Sequence, residues 1–238
     1  MPSSRIEGRS GNRLLDSLPE ADRADLAPHL ETEHLELKDL MLEAGKRIEH
    51  AYFPTSAVAS LLNLVEDNSG VEMATVGNEG MIGLSLSWDA SVLNPREVVQ
   101  CQVPGDALVM DAETFAIKVS EGGAFGDVIH GYTQAFVSQI GQQVACNGLH
   151  SIEERCARWL LLTNDRVGAD EFPLTQEFLA QMLGVRRPSV TVVAGILQEA
   201  GFIRFRRGRI QIRDRHGLES VSCECYRVLR EVFDRLLG

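Results

Sequence analysis

Residues 174–203, LTQEFLAQMLGVRRPSVTVVAGILQEAGFI, decide the reading of this chain. The first half places Phe178, Leu179, Met182 and Leu183 at helical spacing. Thr175 stands where a helix N-terminus needs a side-chain oxygen, and Gly184 where a left-handed residue ends the helix. A second helix follows within a few residues, with Val190, Val193, Ala194 and Leu197 as its apolar stripe and Gly201 as its stop. Helix, short glycine-containing turn, helix is the spacing of a helix-turn-helix. That spacing puts Arg186, Arg187 and Ser189 at the N-terminal end of the second helix, the part that meets base edges in a major groove. An ordinary helical hairpin with a solvated arginine pair would look the same over these residues alone, so the flanks matter.

Residues 202–213, FIRFRRGRIQIR, alternate as a β-hairpin about an Arg-Gly turn, with Ile203, Phe205, Ile210 and Ile212 on the apolar face. Arg204, Arg206, Arg207, Arg209 and Arg213 make up the other face. A helix-turn-helix followed by a basic two-stranded wing is a winged helix. Eight arginines between positions 186 and 215 face only Glu199 and Asp214, a local balance of +6 in a chain whose net charge is −11. A basic patch on an acidic protein is the footprint of a polyanion, here double-stranded DNA. Every basic residue after position 170 is Arg, which suits bidentate contact with phosphate and guanine. Thr175 and Gln176, Arg186, Arg187 and Ser189, and Arg206, Arg207 and Arg209 are the expected DNA-contacting residues.

The rest of the chain divides by texture. Residues 12–30 carry Leu14, Leu15, Leu18, Leu26 and Leu30 as a short amphipathic helical segment, with Pro19 opening a second helix. From 34 to 112, short β-prone runs at 33–37, 40–43, 47–53, 57–66, 70–76, 97–103 and 107–111 are separated by turn signals such as Asp67-Asn68-Ser69-Gly70 and Pro104-Gly105-Asp106. Such spacing predicts an antiparallel barrel or jelly roll. Between them, residues 80–84 read as a short helix or tight turn. Residues 125–147 read as one long helix, about 35 Å in length. Its seam of Phe125, Ile129, Tyr132, Phe136, Ile140 and Val144 suggests a coiled-coil dimer contact. Residues 151–167 form a further helix opened by a Ser151/Glu154 capping box, and 218–237 a final one. The fold class is therefore α+β. Expected domains are an effector-type barrel at 12–122, a dimerisation helix at 123–150 and a winged helix-turn-helix at 151–238.

Composition narrows the functional classes. No run of 18 apolar residues suggests a membrane span, and no apolar signal core opens the chain, so a cytoplasmic protein is expected. Residues 5–9, RIEGR, match a protease-cleavage linker and carry no functional weight. The five cysteines, at 101, 146, 156, 223 and 225, form no CxxC pair and read as reduced thiols. Cys223 and Cys225, two apart on the expected final helix, would face different ways. Neither a metal site nor a cofactor is expected. A cupin-like enzyme would need His-x-His with a carboxylate, which none of the six histidines provides.

Barrel, long helix and winged helix in that order resemble the Crp–Fnr superfamily of bacterial transcription regulators. Residues 179–203, LAQMLGVRRPSVTVVAGILQEAGFI, are similar to its recognition motif in length and apolar register, and the stretch YFPTSAVASLL…VEMATVGNEGMIGL to the barrel of one subgroup. The resemblance implies a homodimer on a near-palindromic DNA site, with RNA polymerase as a further partner and a small-molecule effector of unknown identity. It places Arg187 at the family's guanine-reading arginine and Ser189 at a phosphate-contacting position. Pro188 replaces a frequent Glu, and Val192 a second base-reading Arg. Cyclic-nucleotide-binding members carry Gly-Glu and, about ten residues on, Arg-Ser/Thr. Here Gly83 is followed by Leu84, and Arg96 by Glu97, so the candidate effector pocket of Gly83, Leu84 and Arg96 lacks the ribose-binding carboxylate. A structural ion pair of Arg96 with Glu97 or an acidic loop is expected instead, although a cyclic-nucleotide-responsive regulator is the alternative. No cysteine precedes Cys101, which argues against an N-terminal iron–sulfur sensor.

Overall fold

The computed structural model describes residues 9–65, 70–88 and 94–237. Seven strands form two antiparallel sheets. These are β1 (Glu31–Leu35), β2 (Leu40–Leu42), β3 (His50–Pro54), β4 (Val58–Leu64), β5 (Gly70–Val76), β6 (Glu97–Val103) and β7 (Gly105–Asp111). One sheet has the order β1-β7-β3, the other β2-β6-β4-β5. The expected strands are all present, and they build an open jelly-roll-like sandwich rather than a closed barrel. The chain crosses between sheets where a single residue, Pro104, separates β6 from β7. Gly105 begins β7 there because the backbone of Ser56 and Ala57 passes so close that a Cβ would sit 2.5 Å from the Ala57 nitrogen. Residues 80–84 divide between the two expectations: Ile82 bridges Tyr52, and a 3₁₀ turn runs from Leu84 to Trp88. Strand residue 66 and turn residues 67–69 lie outside the described residues.

Two short helices, α1 (Arg13–Asp16) and α2 (Glu20–Leu26), close one end of the sandwich. Asn12 is buried and anchors them, donating to the Pro54 and Gly80 carbonyls at 2.8 and 2.9 Å and accepting from Leu15 N. Helix α3 (Ala112–Ser120), not foreseen from the sequence, packs Phe115 against Phe53 and Phe125. The three ring centroids lie 5.8–6.4 Å apart, and burying each ring contributes roughly 1.5–3 kcal/mol.

Helix α4 (Gly123–Leu149) is the long helix, and it corrects the proposed seam. Phe125, Ile129 and Tyr132 belong to the protein's own core, and the Tyr132 hydroxyl donates to the Met81 carbonyl at 3.0 Å. Those three residues are spent on the sandwich. Phe136 and Ile140 are half-buried, whereas Val137, Val144 and Leu149 stand exposed, Val144 at 69%. The cause is rotational: the stripe 125, 129, 132, 135, 139, 143, 146 faces inward along the whole helix, and the outward face is polar at Asp127, His130 and Gln134 but apolar at Val137, Val144 and Leu149.

Helix α5 (Ile152–Val167) opens with the expected capping box, and Trp159, Leu160 and Leu162 are buried. It shares a core with Leu62 and Val98 of the sandwich, and polar groups add to that contact. Trp159 Nε1 donates to Glu72 at 3.0 Å, Gln102 to Thr163 at 3.4 Å, and Arg166 Nε meets Glu79 at 2.8 Å. The remaining elements are β8 (Glu171–Pro173), α6 (Gln176–Leu183), α7 (Arg187–Glu199), β9 (Ile203–Arg206), β10 (Arg209–Ile212), α8 (Arg215–Ser220) and α9 (Cys225–Leu237). The expected final helix at 218–237 is thus broken in two around residues 221–224. Asp214 caps α8, whose last turn ends at Val221. Helix α9 returns along α4, setting Phe233 against Tyr132 with ring centroids 6.4 Å apart.

Candidate functional site

Helices α6 and α7 form the helix-turn-helix. Thr175 caps α6 by accepting from Phe178 N at 3.1 Å, and Gly184 ends it with φ +63°. Leu179, Met182, Leu183, Val190 and Leu197 are buried in the shared core, which leaves the opposite face of α7 free. Arg186 occupies the N-cap of α7 and Arg187 its first turn, both exposed. Pro188 fits here because the first-turn N–H it lacks has no partner in the helix. Ser189 is half-buried, its N–H bonded to the Arg186 carbonyl at 3.0 Å. Gln176 accepts from the Thr191 hydroxyl at 2.8 Å, tying the two helices together at the face they present. Val192 is 64% exposed on that face beside Thr191, a placement suited to apolar contact with a thymine methyl.

The wing is a three-stranded sheet of order β8-β10-β9, one strand more than the sequence suggested. Arg206 pairs with Arg209 across a two-residue turn, Arg207-Gly208, in which both residues have positive φ (50° and 74°). That is the turn whose twist matches a hairpin. Leu174 N donates to the Gly208 carbonyl at 2.9 Å, so the wing tip is fixed to the start of α6. The arginines then divide by partner. Arg215 is structural, bridging Asp165 at 2.5 Å and Glu219 at 3.1 Å. Arg209 pairs with Glu171 at 2.5 Å, and Arg187 only loosely with Glu177 at 3.8 Å. Arg186, Arg204, Arg206 and Arg207 have no ion-pair partner within 4 Å among the described residues. Exposed cations at a helix N-terminus and a wing tip, unpaired among the described residues, are free to attract an anion.

The effector-pocket residues separate. An apolar pocket of about 480 Å³ lies between the sandwich and α4, lined by Met81, Gly83, Leu84, Glu97, Phe136 and Ile140 among others. Arg96 is exposed and outside that lining, and no ion pair joins it to Glu97 among the described residues. Among the described residues, the one charged group lining the pocket is the Glu97 carboxylate, which opposes capture of a phosphate.

A second cluster was missed by the sequence reading. Cys146 of α4 and His150, the residue that caps its C-terminus, meet Cys223 and Cys225, so that one potential ligand atom from each lies within 4.8 Å of all the others. Cys146 Sγ is 3.5 Å from Cys223 Sγ, and Cys225 Sγ is 3.5 Å from His150 Nδ1. Cys223 precedes α9 and Cys225 begins it, so the two turn to one point instead of to different helix faces. A hydrogen bond from Cys223, aided by the charge of Arg158, pulls the Cys146 thiol down to about 5, while Cys223 keeps its proton. The bond with Cys146, with Glu224 nearby, raises His150. The available signal was Cys-x-x-x-His on one helix, answered by Cys-x-Cys far along the chain.

Comparison with known proteins matches residues 154–221 to the Crp-like helix-turn-helix domain. No curated protein sequence matches the chain. A transcriptional regulator of the Crp/Fnr family from Eubacterium rectale superposes with a TM-score of 0.67 at 19% identity, covering 90% of this chain and 99% of that one. FixK2 from Bradyrhizobium japonicum gives 0.68 at 14% identity, over 82% and 98%. The c-di-GMP-responsive global regulator CLP of Xanthomonas campestris gives 0.61 at 13% identity, over 78% and 94%. The chain therefore carries a Crp-like helix-turn-helix domain at residues 154–221, on a fold shared with solved regulators of the Crp/Fnr family.

Proposed function

We propose that this regulator acts as a homodimer on a near-palindromic DNA site, and that the sandwich biases DNA binding through its contact with α5. The carrying observation is the pair Arg186 and Arg187, exposed at the N-terminal end of α7, with the unpaired Arg206 and Arg207 on the neighbouring wing. One element reads bases and the other holds the backbone. A dimer face is offered by Val137, Val144 and Leu149, exposed apolar residues on the C-terminal half of α4. Sandwich, α4 and the winged helix are read as three working units, with α9 tying the last to the first. Any effector of the apolar pocket would lack a phosphate, because Glu97 stands where positive charge would be needed. The chain is read as a binding protein and not an enzyme. Selection of bound fragments from genomic DNA by the purified protein tests the proposal. A two-fold symmetric site with half-sites one helical turn apart is expected. Enrichment of no sequence, with salt-sensitive binding to all DNA alike, would refute the base-reading role.

A further inference from the structure

Cys146, His150, Cys223 and Cys225 converge where three elements meet: the end of α4, the start of α5 and the start of α9. We infer that these four residues form a tetrahedral Cys₃His site for a structural zinc ion, which clasps the C-terminal helix to the base of the long helix.

The geometry fits the ion. Zinc bonds of about 2.3 Å to sulfur and about 2.05 Å to nitrogen give tetrahedral edges of about 3.8 Å between sulfurs and about 3.5 Å between sulfur and nitrogen. The sulfur–nitrogen pair at 3.5 Å already fits, the sulfur–sulfur pair at 3.5 Å must open by about 0.3 Å, and the pairs nearer the 4.8 Å limit must close to reach those edges. Thiolates with one imidazole suit zinc over magnesium or calcium, which take oxygen. Four protein ligands leave no open position, so the ion would hold structure and perform no chemistry.

The surroundings point the same way. His150 offers Nδ1 to the cluster, while Nε2 lies 3.2 Å from a carboxylate oxygen of Glu224. Such a carboxylate fixes the tautomer that leaves the other nitrogen free to bind metal. Gln142 Nε2 donates to Cys225 Sγ at 3.0 Å. Three thiolates and one zinc ion leave a charge of −1, and Arg155 and Arg158 on α5 are buried close enough to act on Cys146. Each of these arginines keeps a buried Nε without a hydrogen-bond partner, a costly arrangement unless negative charge stands nearby. His150 retains 15% exposure of its side chain, which gives the ion a way in.

The test uses the full chain and does not depend on DNA binding. Protein purified without chelator, or refolded with excess zinc and desalted, should contain one zinc per chain by mass spectrometry of the metal. Cobalt in place of zinc should give intense tetrahedral visible bands and near-ultraviolet thiolate-to-cobalt charge transfer. Cys225→Ser and His150→Ala should lose the metal, Cys101→Ala should keep it, and His150→Cys should restore it as a Cys₄ site. Should the serine and alanine variants fail to fold, the cobalt spectrum of the unmodified protein still decides. Less than a tenth of an equivalent of metal, an octahedral cobalt spectrum, an iron–sulfur absorption, or a Cys146–Cys223 disulfide in protein kept reduced would each overturn the assignment.

Discussion

Glu72 shows how a single side chain can link the two halves of the molecule. It is buried between β5 and α5, where it accepts from Ser60 at 2.7 Å and from Trp159 at 3.0 Å. Burial pushes its carboxyl up to about 7, against those hydrogen bonds and the charges of Arg158 and Arg166. A carboxyl raised in the folded state holds its proton better there than in the unfolded chain. Its stability contribution is intact below the ordinary carboxylate value and is lost as pH climbs to about 7. Replacing Glu72 with Gln should flatten the stability profile between about pH 5 and pH 8, with a gain at the upper end of roughly 3 kcal/mol at most. Denaturant titrations across that range measure it, and an unchanged slope in the variant would exclude Glu72 as the source. At the DNA face, Arg187→Ala should cost about 1–3 kcal/mol at the selected site and relax preference at one symmetric position. Arg206→Ala should weaken all sequences alike and reduce the salt slope. Arg206 serves better than Arg207, whose left-handed backbone would complicate any substitution. Binding isotherms on specific and scrambled sites at several salt concentrations separate the two roles.

Helix α4 was legible as an element, but its partner was not. Its apolar residues form a repeat that would suit a second copy of itself, yet Phe125, Ile129 and Tyr132 meet Phe53, Phe115 and Met81 of the same chain. A periodic stripe reports that a face is covered and is silent about what covers it. Val144→Glu separates the possibilities, because Val144 is exposed in the single chain and charge there costs nothing until a partner arrives. Paired in a dimer, the buried carboxylates should carry a penalty of several kcal/mol. Sedimentation should show the unmodified protein as a dimer and Val144→Glu as a folded monomer with weakened DNA binding. A dimer that survives the substitution would place the interface elsewhere. The last element teaches a similar lesson. Residues 218–237 look continuous, but the chain leaves the helix at Val221 and resumes at Cys225, and that break turns Cys223 and Cys225 toward α4.

At the scale of the molecule, the sandwich and the winged-helix unit share a packed contact with a polar part instead of a flexible tether. Glu72, Gln102, Thr75 and Glu79 from the strands and the following turn meet Trp159, Thr163 and Arg166 from α5. The β5 strand also reaches the turn of the helix-turn-helix, where Val71 lies beside Gly184. A ligand that altered the pocket between sandwich and α4 would act on these same strands, since Met73 and Val76 line it. Cyclic AMP and cyclic GMP should not be that ligand. Leu84 stands where the resemblance leads one to expect the ribose-binding carboxylate, and Arg96 is outside the pocket. Calorimetry with millimolar cyclic nucleotide should show no saturable heat, and low-micromolar binding abolished by Arg96→Ala would restore the cyclic-nucleotide switch.

The sequence by itself determined the local devices. Thr175 and Gly184 bound α6, the Ser151/Glu154 box opens α5, Arg207-Gly208 turns the wing, and turn signals separate the β-prone runs that become the seven strands of the sandwich. Each depends on neighbours within a few residues, so spacing alone specifies it. Tertiary structure decided everything that joins distant residues. It chose the inward face of α4, kept Arg96 out of the pocket, and assigned Arg215 to Asp165 and left Arg206 to solvent. It also brought Cys146 and His150 to Cys223 and Cys225 across more than seventy residues of chain. Side chains so far apart in sequence meet only after the core has fixed helix rotation and direction, and neither quantity is written in the period of the sequence.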